Sequence, residues 1–118
     1  MDSDSFAVLH RALEGVVSEG TGKRAQSKFV EIAGKTGTAQ NVGARFQRSE
    51  GEDTPKQFRD HAWFVAYAPA SDPKIAIAVI VENTGHGGTF AAPIAKALIE
   101  EYLKGNQTHD RKPYPGQL

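Results

Sequence analysis

The sequence contains no cysteine, which excludes a disulfide framework, a zinc–thiolate site and a thiol nucleophile. It also lacks net charge. Fourteen Lys and Arg balance fourteen Asp and Glu, so no overall field gathers an anionic polymer or membrane surface, and nucleic acid is not expected as a partner. No apolar run is longer than Ile75–Val81, far short of the ~20 residues a membrane helix needs, and the opening Met1-Asp-Ser-Asp does not read as a signal peptide. The chain itself is therefore expected to be soluble. Internal repeats and low-complexity tracts are absent. What remains is an ordinary globular composition: 118 residues, 39% hydrophobic, 24% charged and 8% aromatic, enough for one domain with a single core and too little for two.

Phe6, Leu9, Leu13, Val16 and Val17 recur at helical spacing after Ser3, Asp4 and Ser5, which predicts a helix near 4–18 with one of those polar residues as its N-cap. Gly20, Thr21 and Gly22 stop it. A polar crossing then leads through Phe29, Val30 and Ile32 into a strand that runs to Gln40. Residues 41–60 are polar, without a period, and read as a long loop. Residues 62–68 and 75–81 are apolar at every position, so each strand is expected to be covered on both faces. The connection 69–74 is too short for a parallel crossover, so the two strands must pair antiparallel with Ser71-Asp72-Pro73 in the turn. Residues 90–104 carry Ile94, Leu98 and Tyr102, with Ile99 and Leu103 beside them, and read as a second helix stopped by Gly105. The expected fold is α+β: three antiparallel strands, about 29–40, 61–68 and 75–82, flanked by N- and C-terminal helices. The domain would occupy 1–105, with 106–118 as a flexible tail.

The sharpest chemical signal is Gly34-Lys35-Thr36-Gly37-Thr38-Ala39-Gln40. A bare Lys-Thr-Gly occurs by chance in roughly one chain of this length in thirty or forty, but here it lies on an expected strand. It is followed by His61-Ala62-Trp63-Phe64-Val65-Ala66-Tyr67-Ala68-Pro69, by Val81-Glu82-Asn83 and by Ala91-Ala92-Pro93-Ile94-Ala95. With these stretches the chain resembles, over about residues 6–104, the C-terminal part of the transpeptidase domain of class B penicillin-binding proteins, most of all their elongation-specific branch. Lys-Thr-Gly is the third element of that superfamily's active-site set, beside Ser-x-x-Lys and Ser-x-Asn.

The resemblance implies roles for this strand that its chemistry can fill. The Lys35 cation can hold a terminal carboxylate and bias the proton equilibria of a serine and lysine beside it. Gly37 lets a substrate backbone approach. The N–H of Thr38 would be half of an oxyanion hole, and the hydroxyls of Thr36 and Thr38 would bind the carboxylate, with Gln40 at the end of the substrate strip. Lys35 and Thr38 alternate to opposite faces, so one site can use both only along an open strand edge. The family's activity is serine acyl transfer that cross-links peptidoglycan stem peptides, with β-lactams as competing acylators. No cofactor is expected, and no metal either, because His10, His61, His86 and His109 show no paired metal spacing and no nearby acidic cluster; the resemblance implies a parent protein in the periplasm, anchored to the inner membrane beside cell-elongation proteins.

The nucleophile is missing. The one formal Ser-x-x-Lys, Ser71-Asp72-Pro73-Lys74, falls in the short turn with a proline inside it, and no Ser-x-Asn occurs. The chain thus reads as a piece of a longer enzyme, inactive alone, whose strands are the last three of the family's five-stranded sheet. Strand 75–81 would then keep an unpaired apolar edge and self-associate. Rival readings are a D-Ala carboxypeptidase or β-lactamase-like hydrolase, a non-enzymatic binding module and a nucleotide-binding module. Thr84-Gly85-His86-Gly87-Gly88 fits neither phosphate-binding glycine pattern and reads as a plain connection. His61 reads as structural, and Trp63, Phe64 and Tyr67 as core or cleft wall.

Overall fold

A computed structural model describes residues 1–40 and 60–107. The expected loop 41–60 and tail 106–118 therefore lie almost wholly outside the described residues. Two helices, α1 (Ser3–Ser18) and α2 (Gly87–Gln107), flank a sheet of β1 (Ala33–Ala39), β2 (His61–Ala68) and β3 (Ile75–Val81), with a short 3-10 turn at Lys23–Ala25. The expected α+β class is what is observed.

The N-cap of α1 is Asp2, one residue before the three candidates read from the sequence: its Oδ1 accepts the Ser5 N–H at 2.8 Å. That hydrogen bond holds the Asp2 carboxyl below the ordinary carboxylate range, because it favours the charged form. A depressed value means that the cap's contribution is complete above the ordinary range and is lost as the pH falls through the depressed one. Protection of the Ser5 amide, taken relative to its intrinsic exchange rate at each pH, is therefore expected to fall on acidification, and in an Asp2→Asn chain, which keeps an uncharged acceptor, to lose that pH dependence. At the other end the N–H groups of Glu19 and Gly20 both donate to the Gly15 carbonyl, and that of Gly22 donates to Val16. These bonds fold residues 19–22 back under the last turn.

The sheet order is β1-β2-β3, both pairs antiparallel, with Thr36 opposite Phe64 and Phe64 opposite Val79. The boundaries of β2 and β3 match the sequence reading because Pro69 and Pro73 lie between them; proline has no N–H to give a ladder. β1 begins at Ala33, not at 29. Pro69 follows β2 directly, so no ladder continues beside residues 29–32. Ser27 Oγ takes the Phe29 N–H, the Phe29 ring turns out beneath the Lys104 ammonium 4.3 Å from its centroid, and the Ala70 N–H donates to the Glu31 carbonyl.

One face of the sheet carries Ala62, Phe64, Ala66 and Val79 against α2, whose Ala91, Ala92, Ala95 and Ile99 are buried. Phe64 and Ile99 are the largest fully buried side chains; alanine elsewhere lets the helix sit close to the strands. The expectation that both faces are covered fails on the other side. There, His10 and Leu13 of α1 approach Tyr67 and Lys35, and the Tyr67 hydroxyl shares a hydrogen bond with His10 Nδ1. Val65, Ala76, Ala78 and Ile80 stay exposed. Phe6 and Leu9 are exposed too, so of the apolar stripe on α1 only Val17 is fully buried.

α2 starts at Gly87 and runs through Gly105 to Gln107, longer at both ends than the pattern predicts. Pro93 sits inside it. Its missing N–H leaves the Thr89 carbonyl without its helical donor, and Arg24 Nη1 approaches that oxygen at 3.4 Å.

Candidate active site on strand β1

β1 is an edge strand, paired only with β2 among the described residues. The register Thr36↔Phe64 and Thr38↔Ala62 sets both threonines on the α2 face; Lys35↔Val65 and Gly37↔Trp63 set the lysine and glycine on the other. Lys35 Nζ donates to the Thr36 carbonyl at 2.9 Å, which places that carbonyl at the unpaired edge. The alternation of an antiparallel ladder then turns the N–H and C=O of Thr38 to the same edge. Two side-chain faces and one row of backbone groups thus meet along a single border. Lys35, Thr38 and Gln40 are exposed, and Thr36 and Gly37 half-buried. Beside Lys35 a groove of about 450 Å³ runs between Leu13 and the strand residues Val65, Tyr67, Ala76 and Ala78.

Two contacts were not legible in the sequence. The indole of Trp63 lies where a Cβ on Gly37 would project, so glycine is required here by the neighbouring strand as well as by any approaching ligand. Gly37→Ala is expected to cost about 1–3 kcal/mol of stability as an overpacking change, and most of that cost should vanish in a Trp63→Ala background. Chemical denaturation of the four chains of this cycle measures it, and additive effects would contradict the contact. The second contact joins the hydroxyls of Thr21 and Thr36 at 2.8 Å. The expected carboxylate-binding hydroxyl of Thr36 is therefore already partnered, by a residue that the sequence marked only as a helix stop.

The connection Thr84-Gly85-His86-Gly87-Gly88 joins β3 to α2, as the plain reading held. Asn83 and Gly85 adopt positive φ, 55° and 109°, conformations that Asn and Gly adopt more readily than other residues. A Cβ on Gly87 would strike the backbone of Trp63 and Gly37, and one on Gly88 the carbonyl of Thr21. Small residues here let the start of α2 rest directly on the strand pair. His61 Nδ1 accepts the Asn83 N–H at 3.0 Å and fastens the start of this connection, the structural use expected of it. Ser71 is exposed in its turn, and Lys74 pairs with Asp72 at 2.8 Å.

The family model of the penicillin binding protein transpeptidase domain matches residues 1–100. The peptidoglycan D,D-transpeptidase MrdA of Haemophilus influenzae is 39% identical over 103 residues, 84% of this chain and 16% of the relative. The crystal structure of Pseudomonas aeruginosa PBP2 in complex with WCK 5153 superimposes with a TM-score of 0.68 at 31% identity, over 96% of this chain and 22% of that one. A ceftriaxone acyl-enzyme of penicillin-binding protein A from Mycobacterium tuberculosis gives a TM-score of 0.60 at 38% identity, over 80% of this chain and 20% of that one. The chain belongs to the penicillin-binding protein transpeptidase domain family. Within that family it is of the class B, PBP2-like kind. It spans about one sixth of the length of the curated relative.

Proposed function

We propose that this chain supplies the Lys-Thr-Gly strand of a serine-type D,D-transpeptidase that cross-links peptidoglycan. The observation that carries the reading is the border of β1, where Lys35 and the Thr38 backbone N–H share one unpaired edge although their side chains occupy opposite faces. A serine from outside this chain attacks the penultimate D-alanine carbonyl of a stem peptide. D-alanine leaves, and the amine of a second stem peptide takes the acyl group. Lys35 holds the terminal carboxylate and biases the proton equilibria around the serine; the Thr38 N–H stabilises the oxyanion. Thr36, Gly37, Thr38 and Gln40 line the peptide's path. β-Lactams acylate the same serine, in keeping with the acyl-enzyme formed by the M. tuberculosis relative. The parent protein works in the periplasm, held at the inner membrane with cell-elongation proteins. The chain alone lacks the nucleophile and is inactive, and it self-associates through β3.

Lys35→Ala in the full-length protein tests the assignment. Acylation by a labelled penicillin is expected to fall about a hundredfold, the scale of one lost charged contact in a transition state. The melting temperature should hardly move, because an exposed strand lysine contributes little to stability. Equal acylation rates with a lowered melting temperature would make Lys35 structural and defeat the reading.

A further inference from the structure

We propose that Thr21 is a positioning residue for Thr36: its hydroxyl sets the rotamer and the proton direction of the Thr36 hydroxyl, so that Thr36 offers a donor to a carboxylate bound along the β1 edge. This inference rests on the transpeptidase reading and deepens it. A threonine hydroxyl has one proton and two acceptor lone pairs. In the pair at 2.8 Å either oxygen can be the donor. When Thr21 donates, the Thr36 proton is left free to point at an anion; when Thr36 donates, its proton is spent on Thr21. A carboxylate beside Lys35 accepts hydrogen bonds and cannot give one, so it selects the first arrangement.

The place of Thr21 is built, not incidental. Its neighbours Gly20 and Gly22 are tied by their N–H groups to Gly15 and Val16 at 3.0 and 2.9 Å. Gly22 is packed so that a Cβ would press on Val16 and the Phe64 ring, and Gly88 lies against the Thr21 carbonyl. The backbone of Thr21 is thereby clamped between the last turn of α1, the sheet core and the first turn of α2, and its β-branched side chain has few rotamers to choose from. Both members of the pair remain accessible, Thr21 exposed and Thr36 half-buried. A ligand at the edge can therefore reach Thr36.

The test uses the full-length protein with Thr21→Val, which keeps the shape and removes the hydroxyl, and Thr21→Ser, which restores it. The rate of acylation by a labelled penicillin is measured beside the rate with the same penicillin esterified at its carboxylate, together with the melting temperature of each protein. Thr21→Val is expected to slow acylation by the free acid about tenfold, the worth of one hydrogen bond to a charged group, and to leave the slow reaction of the ester unchanged. Thr21→Ser should recover the free-acid rate to within about twofold. A Thr21→Val protein that reacts like wild type would overturn the proposal. So would equal losses for acid and ester, or a variant that no longer folds, since either would make Thr21 a structural tie between α1 and β1. Wild-type protein that takes no penicillin at all would instead remove the transpeptidase reading underneath; wild type that is labelled while Thr21→Val is indifferent removes only the role of Thr21.

Discussion

Incubated with labelled penicillin, the 118-residue chain is expected to keep its unmodified mass and to release no D-alanine from a stem peptide. Acyl transfer by this family's chemistry needs a serine made nucleophilic by a base within hydrogen-bond reach. Ser71 is the one serine followed at the third position by a lysine. Pro73 intervenes, and the pair lies in a turn closed by Asp72 N–H to Pro69 O and Lys74 N–H to Ala68 O. A helical approach of Lys74 to the serine hydroxyl is excluded by that geometry, and the Lys74 ammonium is already 2.8 Å from the Asp72 carboxylate. The donors and the cation proposed for β1 would, without a nucleophile, bind and orient a ligand but form no covalent intermediate. Intact-mass spectrometry after incubation decides the matter. A stoichiometric adduct that disappears in a Ser71→Ala chain would show that the hairpin serine is competent and that the division of labour proposed for this chain is wrong.

What could be read from the sequence, and what could not, divides along a physical line. β2 was legible to the residue and β3 to within one residue, because Pro69 and Pro73 bound the turn between the two apolar runs and the effect of proline on a ladder is local and absolute. Residues 29–32 carry the strand formers Phe29, Val30 and Ile32, yet they do not form a strand: whether they do depends on the partner, and Pro69 stands where the partner would be. The helices were legible in position, but not in what their apolar residues face. Phe6 and Leu9 on α1, and Phe90, Ile94 and Leu98 on α2, follow helical spacing and are exposed, while Val17 on α1 and Ala91, Ala92, Ala95 and Ile99 on α2 are the buried residues. Periodicity reports a stripe, not its occupant. At the site, Lys35, Thr36, Gly37 and Thr38 were found through a family resemblance in consecutive residues. The Trp63 indole over Gly37 requires knowledge of the register, and the Thr21 hydroxyl on Thr36 spans fifteen residues of sequence that carry no signal of it.

The same exposed apolar surface sets the second large expectation: at high concentration the chain sediments as a dimer or larger species, joined through β3. β3 pairs only with β2 among the described residues, and its sequence IAIAVIV offers neither charge nor proline to discourage a new partner. The contrast with the other edge is instructive. β1 carries two glycines and a lysine whose Nζ occupies an edge carbonyl, features that blunt strand addition at the border proposed to take a ligand. Beside β3, the stripe of Phe90, Ile94, Leu98 and Tyr102 on α2 is between 38% and 49% exposed. It lies on the flank of the helix away from Glu100, whose carboxylate is taken by Ser27 at 2.8 Å. Pairing of β3 with its own copy about a two-fold axis would satisfy two rows of backbone groups and shield apolar surface at once. Ile80 provides a clean probe, because it is 70% exposed and points away from α2, whereas Ile77 and Val79 face the core. Ile80→Lys is expected to shift the sedimentation profile to monomer with the melting temperature of the monomer preserved, by placing a charge at the new seam. Wild-type chain that stays monomeric at high concentration, with slow amide exchange along 75–81, would mean that another part of the chain covers this edge and that β3 is not free to pair.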